Sequence, residues 1–411
     1  MATPRSTLTI ADACAVIGEA GHGPRPYGVG LELEWFVTRG GRPVSDIASI
    51  RAAIECHGPL PHSSRITFEP GGQLEISAPP SSNGPDAVRG AELDAAAVMT
   101  RLGEAGMRCV AVGLDATGSR DRVLDEPRYR AMAQYFAAQG SAGAVMMCNT
   151  ASLQINVGFH DDPEPQWELA HDLAPVLGAM FAHSPLVAGR PSGWQSSRLA
   201  VWSALDPRRT LPVASKTDAR NAWTRYALDA PVMLIHTGDT CTVPDGDLTL
   251  RSWIEVGHPL GHPDADDVAY HLTTLFPPIR PRGWLELRMI DALPHPWNQV
   301  AAAIGITTLS DPELGAALAP IVSGCRDLAL TAAWHGVHDP TMGATACAVL
   351  DATLPVLEQA GYDDPVIAAT REFASRYTRR SRSPADDRLD AWAATGALAP
   401  DAEPVPASSS R

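Results

Sequence analysis

Glu32 and Glu34 stand at alternate positions of Gly30-Leu-Glu-Leu-Glu-Trp-Phe36. Successive strand residues face opposite ways, so both acids share one face and Leu31, Leu33 and Trp35 the other. The same split recurs in three more segments. Leu74 and Ile76 oppose Gln73, Glu75 and Ser77; Leu153, Ile155, Val157 and Phe159 oppose Gln154 and Asn156; Leu285, Leu287 and Met289 oppose Glu286 and Arg288. A half-solvated antiparallel sheet alternates in the same way. Its wet face, however, usually mixes threonine, lysine and arginine, whereas these positions are mostly Glu and Gln. Like charges facing each other across strands destabilise a sheet. Arg288 alone cannot neutralise Glu32, Glu34, Glu75 and Glu286, so if these strands are neighbours, bound cations are the simplest remedy. Carboxylate and amide oxygens without cysteine suit Mg²⁺ or Mn²⁺ rather than zinc. Magnesium keeps waters and usually binds together with substrate phosphates. An arginine beside such a site fits phosphoryl transfer, where it stabilises charge that builds up in the transition state.

Two connecting segments bear on this face. Pro70-Gly71-Gly72 joins two strands by a tight turn that would set Glu69 close to Glu75; an ordinary hairpin gives the same pattern. Residues 190–202 read as a Gly/Ser/Arg loop carrying Arg198 and Trp202. An arginine fork fits a substrate carboxylate, and a routine surface loop is the alternative. His335 and His338 are spaced as a possible metal pair, but histidines at a helix C-terminal end are commoner. His160, Asp161 and Asp162 follow a strand and read as a turn. There is no G-x-x-x-x-G-K-[ST] phosphate loop, no G-x-G-x-x-G after a strand and no G-x-S-x-G elbow. Lys216 is the only lysine, so phosphate handling falls to arginine, metal or backbone N–H groups, with Lys216 the one exception.

The elements that must position these residues are seven strands and several helices. Strands are expected over 27–37, 65–70, 73–78, 107–114, 152–159, 231–237 and 284–290. Helices are expected over 86–106 with Asp86 as cap, near 128–139, 166–184 and 264–275, and as a consecutive series over 311–380 broken at Pro340, Gly343, Pro355 and Pro365. The expected class is α+β: one mostly antiparallel sheet with helices on one face. Residues 1–393 are expected to form one catalytic domain, with a sheet core over about 27–298 and a helical part over 299–393. The Pro/Ala/Ser-rich stretch 394–411 is expected to be a disordered tail.

The 411 residues suffice for a sizeable core, and 45% hydrophobic against 19% charged is a globular balance. A net charge of 32 − 47 = −15 argues against nucleic acid or an anionic membrane as the main partner. The seven cysteines form no C-x-x-C pair, which suits reduced thiols in a cytoplasm. The N-terminal stretch reads as a short helix rather than a signal peptide, and no stretch reaches the roughly 18 apolar residues of a membrane span.

Six blocks, in order, carry a resemblance: GLELEWF, FEPGGQLEIS, MMCNTASLQINVGF, YALDAP, HLTTLFP and RGWLELRMIDALP. They resemble the plant and bacterial type of glutamate–cysteine ligase, most of all its actinobacterial, ergothioneine-pathway branch, over about residues 27–298. The resemblance implies a glutamine-synthetase-like fold, in which a curved antiparallel sheet forms a funnel with helices on its outer face. It implies metal ligation by Glu32, Glu34, Glu69, Glu75, Gln154 and Glu286, holding two or three Mg²⁺ ions. It implies Arg288 beside the transferred phosphate, with Glu286 also catalytic, Arg280 binding the nucleotide, and Arg198 and Trp202 at the amino-acid substrate. The substrates implied are ATP, glutamate and cysteine, joined through a γ-glutamyl phosphate. Plant relatives carry an aromatic residue where this chain has Met233, a position expected in the acceptor pocket; cysteine or a different amine therefore both stay open. A metal- or amino-acid-binding relative without catalysis is the reading from another class. The oligomeric state is not given by the sequence.

Overall fold

The structure, a computed structural model, describes residues 8–118, 120–213 and 218–398. Lys216 and the tail beyond residue 398 lie outside the described residues.

Eight strands form the main sheet. They are β1 (Val29–Arg39), β2 (Arg42–Pro43), β3 (Arg65–Phe68), β4 (Leu74–Ser77), β5 (Arg108–Val110), β6 (Ser152–Gly158), β7 (Ile279–Pro281) and β8 (Trp284–Asp291). The spatial order is β7-β8-β6-β1-β4-β3, with β2 and β5 on the far end of β1, and every pairing is antiparallel. The long β1 is central because it pairs on both sides, with β6 over Val29–Leu33 and with β4 over Glu32–Trp35.

Alternation places the apolar residues as the sequence suggests. Leu31, Leu33, Ile76, Leu153, Ile155, Leu285 and Leu287 are buried under helices, each contributing about 2 kcal/mol of hydrophobic stabilisation. The Trp297–Ser310 helix packs on β6, the Pro163–Met180 helix on β8 and the Gly84–Glu104 helix on β1. Gly305 sets the approach of the first of these: a Cβ there would lie 2.5 Å from Ile155 Cδ1. The C-terminal helices Pro312–Val322 and Pro340–Gln359 pack on the Pro163–Met180 helix and so form a second layer away from the sheet.

Several elements differ from the sequence reading. The Gly84–Glu104 helix is capped by Asn83, whose side chain accepts from the Asp86 N–H, so Asp86 lies inside the first turn. The Pro163–Met180 helix starts earlier than expected because Asp162 caps it and Pro163 fits its first turn. Residues 231–237 give only a short strand, Ile235–Thr237, in a hairpin separate from the main sheet. Pro355 does not break a helix; it sits inside Pro340–Gln359, where packing outweighs the lost hydrogen bond. That helix is also the one among the described residues long and apolar enough to cross a membrane. Its buried positions, Met342, Ala346, Val349, Leu350, Thr353 and Leu357, fall on one stripe against neighbouring helices, the pattern of a core helix.

The Pro70-Gly71-Gly72 turn is closed by the Gly72 N–H donating to the Glu69 carbonyl (2.8 Å). A Cβ on Gly71 would lie 2.3 Å from the Cys148 carbonyl oxygen. Gly71→Ala is therefore expected to cost about 1–3 kcal/mol through overpacking, read as a lower urea midpoint. An unchanged midpoint would show that the turn does not press on Cys148.

Candidate active site

Sheet register sets the acids side by side. Glu34 faces Glu75 across β1 and β4, Glu32 faces Gln154 across β1 and β6, and Glu286 faces both Arg280 on β7 and Asn156 on β6. This face floors a cavity of about 220 Å³, lined by Glu32, Glu34, Glu69, Glu75, Gln154 and Glu286 together with Arg198, Trp202, Arg280 and Arg288. The structure thus brings together all but one of the site residues anticipated from the sequence. The exception is Met233, which is fully buried in an apolar cluster with Met132, Phe136 and Leu205 and does not line the cavity. Its segment leaves the sheet entirely, so strand position gave no guide to its direction.

Neutral donors, not lysines or arginines, hold most of the acids. Glu34 accepts from the Ser152 N–H and hydroxyl (both 2.8 Å) and from Gln154 Nε2 (2.9 Å). Glu75 accepts from the hydroxyls of Thr67 (2.6 Å) and Ser77 (3.2 Å). Glu32 accepts from Asn156 Nδ2 (3.3 Å). Glu69 sits at the hairpin turn, which the N–H groups of Val123 and Leu124 clamp by donating to the Pro70 carbonyl.

Burial and mutual repulsion make these carboxyls hard to ionise. Burial, then the charges of Glu286 and Glu75, push Glu32 up to about 7. Burial, then Glu75 and Glu34, push Glu69 up to about 8. Glu34 and Glu75 are raised for the same leading reason, burial. The phenol of Tyr129, on the cavity wall, is pushed up to about 12 by burial and by Glu69, and so stays protonated.

Glu286 is the opposite case. Burial opposes its charge, but Arg280, Arg288 and Arg282 together hold it well below the ordinary carboxyl range. Arg280 grips both its oxygens (2.5 and 3.0 Å), Arg282 Nη1 donates to Oε1 (3.2 Å) and Arg288 Nη1 to Oε2 (3.2 Å). Both carboxylate oxygens are thus already engaged. Arg288 Nη1 also donates to Gln154 Oε1 (2.5 Å), and its guanidinium lies 5.9 Å from the Trp202 ring centre.

Arg198 and Trp202 do not stand on a loop. They lie on a helix, Ser197–Ser203, capped by the Ser196 hydroxyl, which accepts from the Leu199 N–H. The serines that suggested a loop are cap chemistry. Arg198 is 2% exposed. Its Nη2 donates to the Arg288 carbonyl (2.8 Å), while Nε and Nη1 have no hydrogen-bond partner among the described residues. His335 stacks on Trp334 and His338 pairs with Asp386, so these histidines behave as a helix end.

The sequence reading missed the cavity's apolar wall: Tyr129 and Met132 from the Pro127–Ala137 helix, Met146 and Met147 from the Ala142–Asn149 helix, and Phe276. The run Met146-Met147 was a usable signal, since adjacent methionines suit an adaptable apolar surface. Arg282 also escaped notice.

The donor chemistry on the floor fits a hard divalent cation: clustered carboxylates and one amide, without thiolate. Among the described residues, no three acid, imidazole or thiol groups already converge as a closed metal cage. Magnesium does not require one, because it binds through one or two carboxylates plus water and phosphate.

Comparisons with known proteins identify the family. The family described as glutamate-cysteine ligase family 2 (GCS2) matches residues 28–387. The glutamate–cysteine ligase EgtA of Mycolicibacterium smegmatis is 37% identical over 415 residues, covering 97% of this chain and 95% of that protein. The Mycobacterium tuberculosis EgtA is 39% identical over 319 residues, covering 74% of this chain and 72% of that protein. Among solved structures, a glutamate–cysteine ligase of Francisella tularensis in complex with AMP shares the fold. Its TM-score is 0.56 at 11% identity, over 91% of this chain and 86% of that one. With its acid floor, its arginine edge and a match over most of its length, the chain belongs to glutamate–cysteine ligase family 2.

Proposed function

We propose that this protein is an ATP-dependent ligase that joins the γ-carboxylate of L-glutamate to the amine of L-cysteine, giving γ-glutamylcysteine, ADP and phosphate for ergothioneine biosynthesis. The observation that carries the reading is one sheet face with unpaired carboxylates at one end and an arginine cluster at the other, inside a single cavity. That arrangement suits a polyphosphate lying between them. In the first step a γ-carboxylate oxygen attacks the ATP γ-phosphorus and ADP leaves. In the second the cysteine amine attacks the acyl carbon and expels phosphate. No enzyme nucleophile is required.

The positions of the residues support a role for each. Arg288, turned into the cavity by Gln154 and Glu286, stabilises charge on the transferred phosphoryl group. Glu286 collects Arg280, Arg282 and Arg288 around the nucleotide phosphates. Glu32, Glu34, Glu69, Glu75 and Gln154 would hold two or three Mg²⁺ or Mn²⁺ ions, which supply charge neutralisation at the phosphate oxygens. Glu286 would join them only by giving up an arginine. Arg198 and Trp202 orient glutamate. The wall of Met132, Met146, Met147, Tyr129 and Phe276 suits the uncharged, sulfur-bearing side chain of cysteine. Free cysteines throughout the chain suit a reducing cytoplasm.

ADP release with glutamate, Mg²⁺ and ATP while the amine is varied tests the reading. Strong dependence on L-cysteine is expected. Dependence on another amine would favour a related ligase, and no turnover with any amine would sink both. Arg288→Ala is expected to lower kcat by about 10²–10³, the usual cost of removing one oriented charge-stabilising donor, with the fold intact by circular dichroism. Full activity in that variant would remove Arg288 from the chemistry.

Stability should respond to pH in a set direction. Glu32 and Glu69, with native values of about 7 and about 8, lie above the ordinary value of about 4.3. Their contribution is present at low pH and lost as pH rises through 7–8. The metal-free protein is therefore expected to melt at lower temperature at pH 8 than at pH 5, and Mg²⁺ to raise Tm more at pH 8. Equal Mg²⁺ shifts at both pH values would count against cation binding by these acids.

A further inference from the structure

The geometry points to Asp291 as the positioning residue that holds Arg198 and its helix against the sheet. The proposal rests on the reading that Arg198 orients the amino-acid substrate. Asp291 is 1% exposed and lies at the end of β8. Strict alternation from Glu286 and Arg288 would turn it toward the apolar face. The register between β8 and β6 instead shifts after Leu287, so that Ile290 faces Leu153 and Asp291 faces Ser152. One extra residue in one strand moves every later side chain to the other face.

Two separate segments then converge on the Asp291 carboxylate. Its Oδ2 accepts from the His183 N–H (2.8 Å) and the Ser184 hydroxyl (2.7 Å); its Oδ1 accepts from the Ser196 hydroxyl (3.0 Å) and lies 3.8 Å from Arg198 Nη1. The two hydroxyls are themselves engaged with the active-site helix. Ser184 Oγ accepts from the Arg198 N–H (3.1 Å), and Ser196 is that helix's N-cap. The backbone leaves space for this node: a Cβ on Gly113 would lie 2.3 Å from the Asp291 carboxyl carbon. Around one carboxyl group, the sheet, the segment that follows the Pro163–Met180 helix and the Ser197–Ser203 helix are fixed to one another.

The test is steady-state kinetics on the full chain for Asp291→Asn, Ser184→Ala and Arg198→Ala, with KM for glutamate and for ATP measured separately. Asp291→Asn keeps the shape and removes the charge. The expected result is a glutamate KM raised at least tenfold with the ATP KM within twofold, and a smaller rise in the same sense for Ser184→Ala. A merely structural role would lower the active fraction, and so apparent kcat, without that split. If Arg198→Ala raises the glutamate KM but a folded Asp291→Asn does not, the positioning role is overturned while the Arg198 reading stands. If Arg198→Ala leaves the glutamate KM unchanged, the underlying reading fails first. Should Asp291→Asn not fold, Ser184→Ala decides alone, and an unchanged glutamate KM there overturns the proposal.

Discussion

Crowded carboxylates repel one another, and the rest of this structure is arranged around that repulsion. Glu34 faces Glu75 directly, and neighbouring carboxylates raise the proton affinity of Glu32 and Glu69 beyond what burial does. In a dry interior such a set would be untenable as four charges. The protein holds the acids with hydroxyls and amides from Ser152, Gln154, Thr67, Ser77 and Asn156, which fix orientation without cancelling charge. Arg280, Arg282 and Arg288 are kept to the β7–β8 edge, gathered on Glu286. Negative charge is left over where cations can sit, and positive charge where phosphate oxygens can.

The acid face was legible because a period of two survives wherever strands pair regularly. Glu32, Glu34, Glu75, Gln154, Glu286 and Arg288 all point where alternation directs them, and the glycine turn brings Glu69 in beside Glu75. The order of strands was not legible, since register is decided by pairing across the sheet and not along the chain. Arg280 and Glu286 illustrate this. Six residues apart, they become direct cross-strand partners only through the β7–β8 turn. The Ser197–Ser203 helix was hidden by its own cap, whose serines imitate a loop. Met233 misled because its segment contributes to a wall behind the cavity and not to the cavity itself.

The helical layers explain why so much chain surrounds so small a site. A sheet with one charged face must bury the other thoroughly, and the Trp297–Ser310, Gly84–Glu104 and Pro163–Met180 helices do so. The Ala-rich helices beyond residue 311 cover those in turn. Their buried apolar stripes mark a second layer of packing.

β8 runs in two phases joined between Leu287 and Ile290. Its first half keeps time with the acid floor and presents Glu286 and Arg288 to the cavity. Its second half, one beat out of step, belongs to assembly and presents Asp291 to the helices. The joint includes Arg288, whose side chain serves the first phase while its carbonyl oxygen, receiving Arg198, serves the second. The same residue therefore keeps the chemical and the architectural halves of the strand in fixed relation.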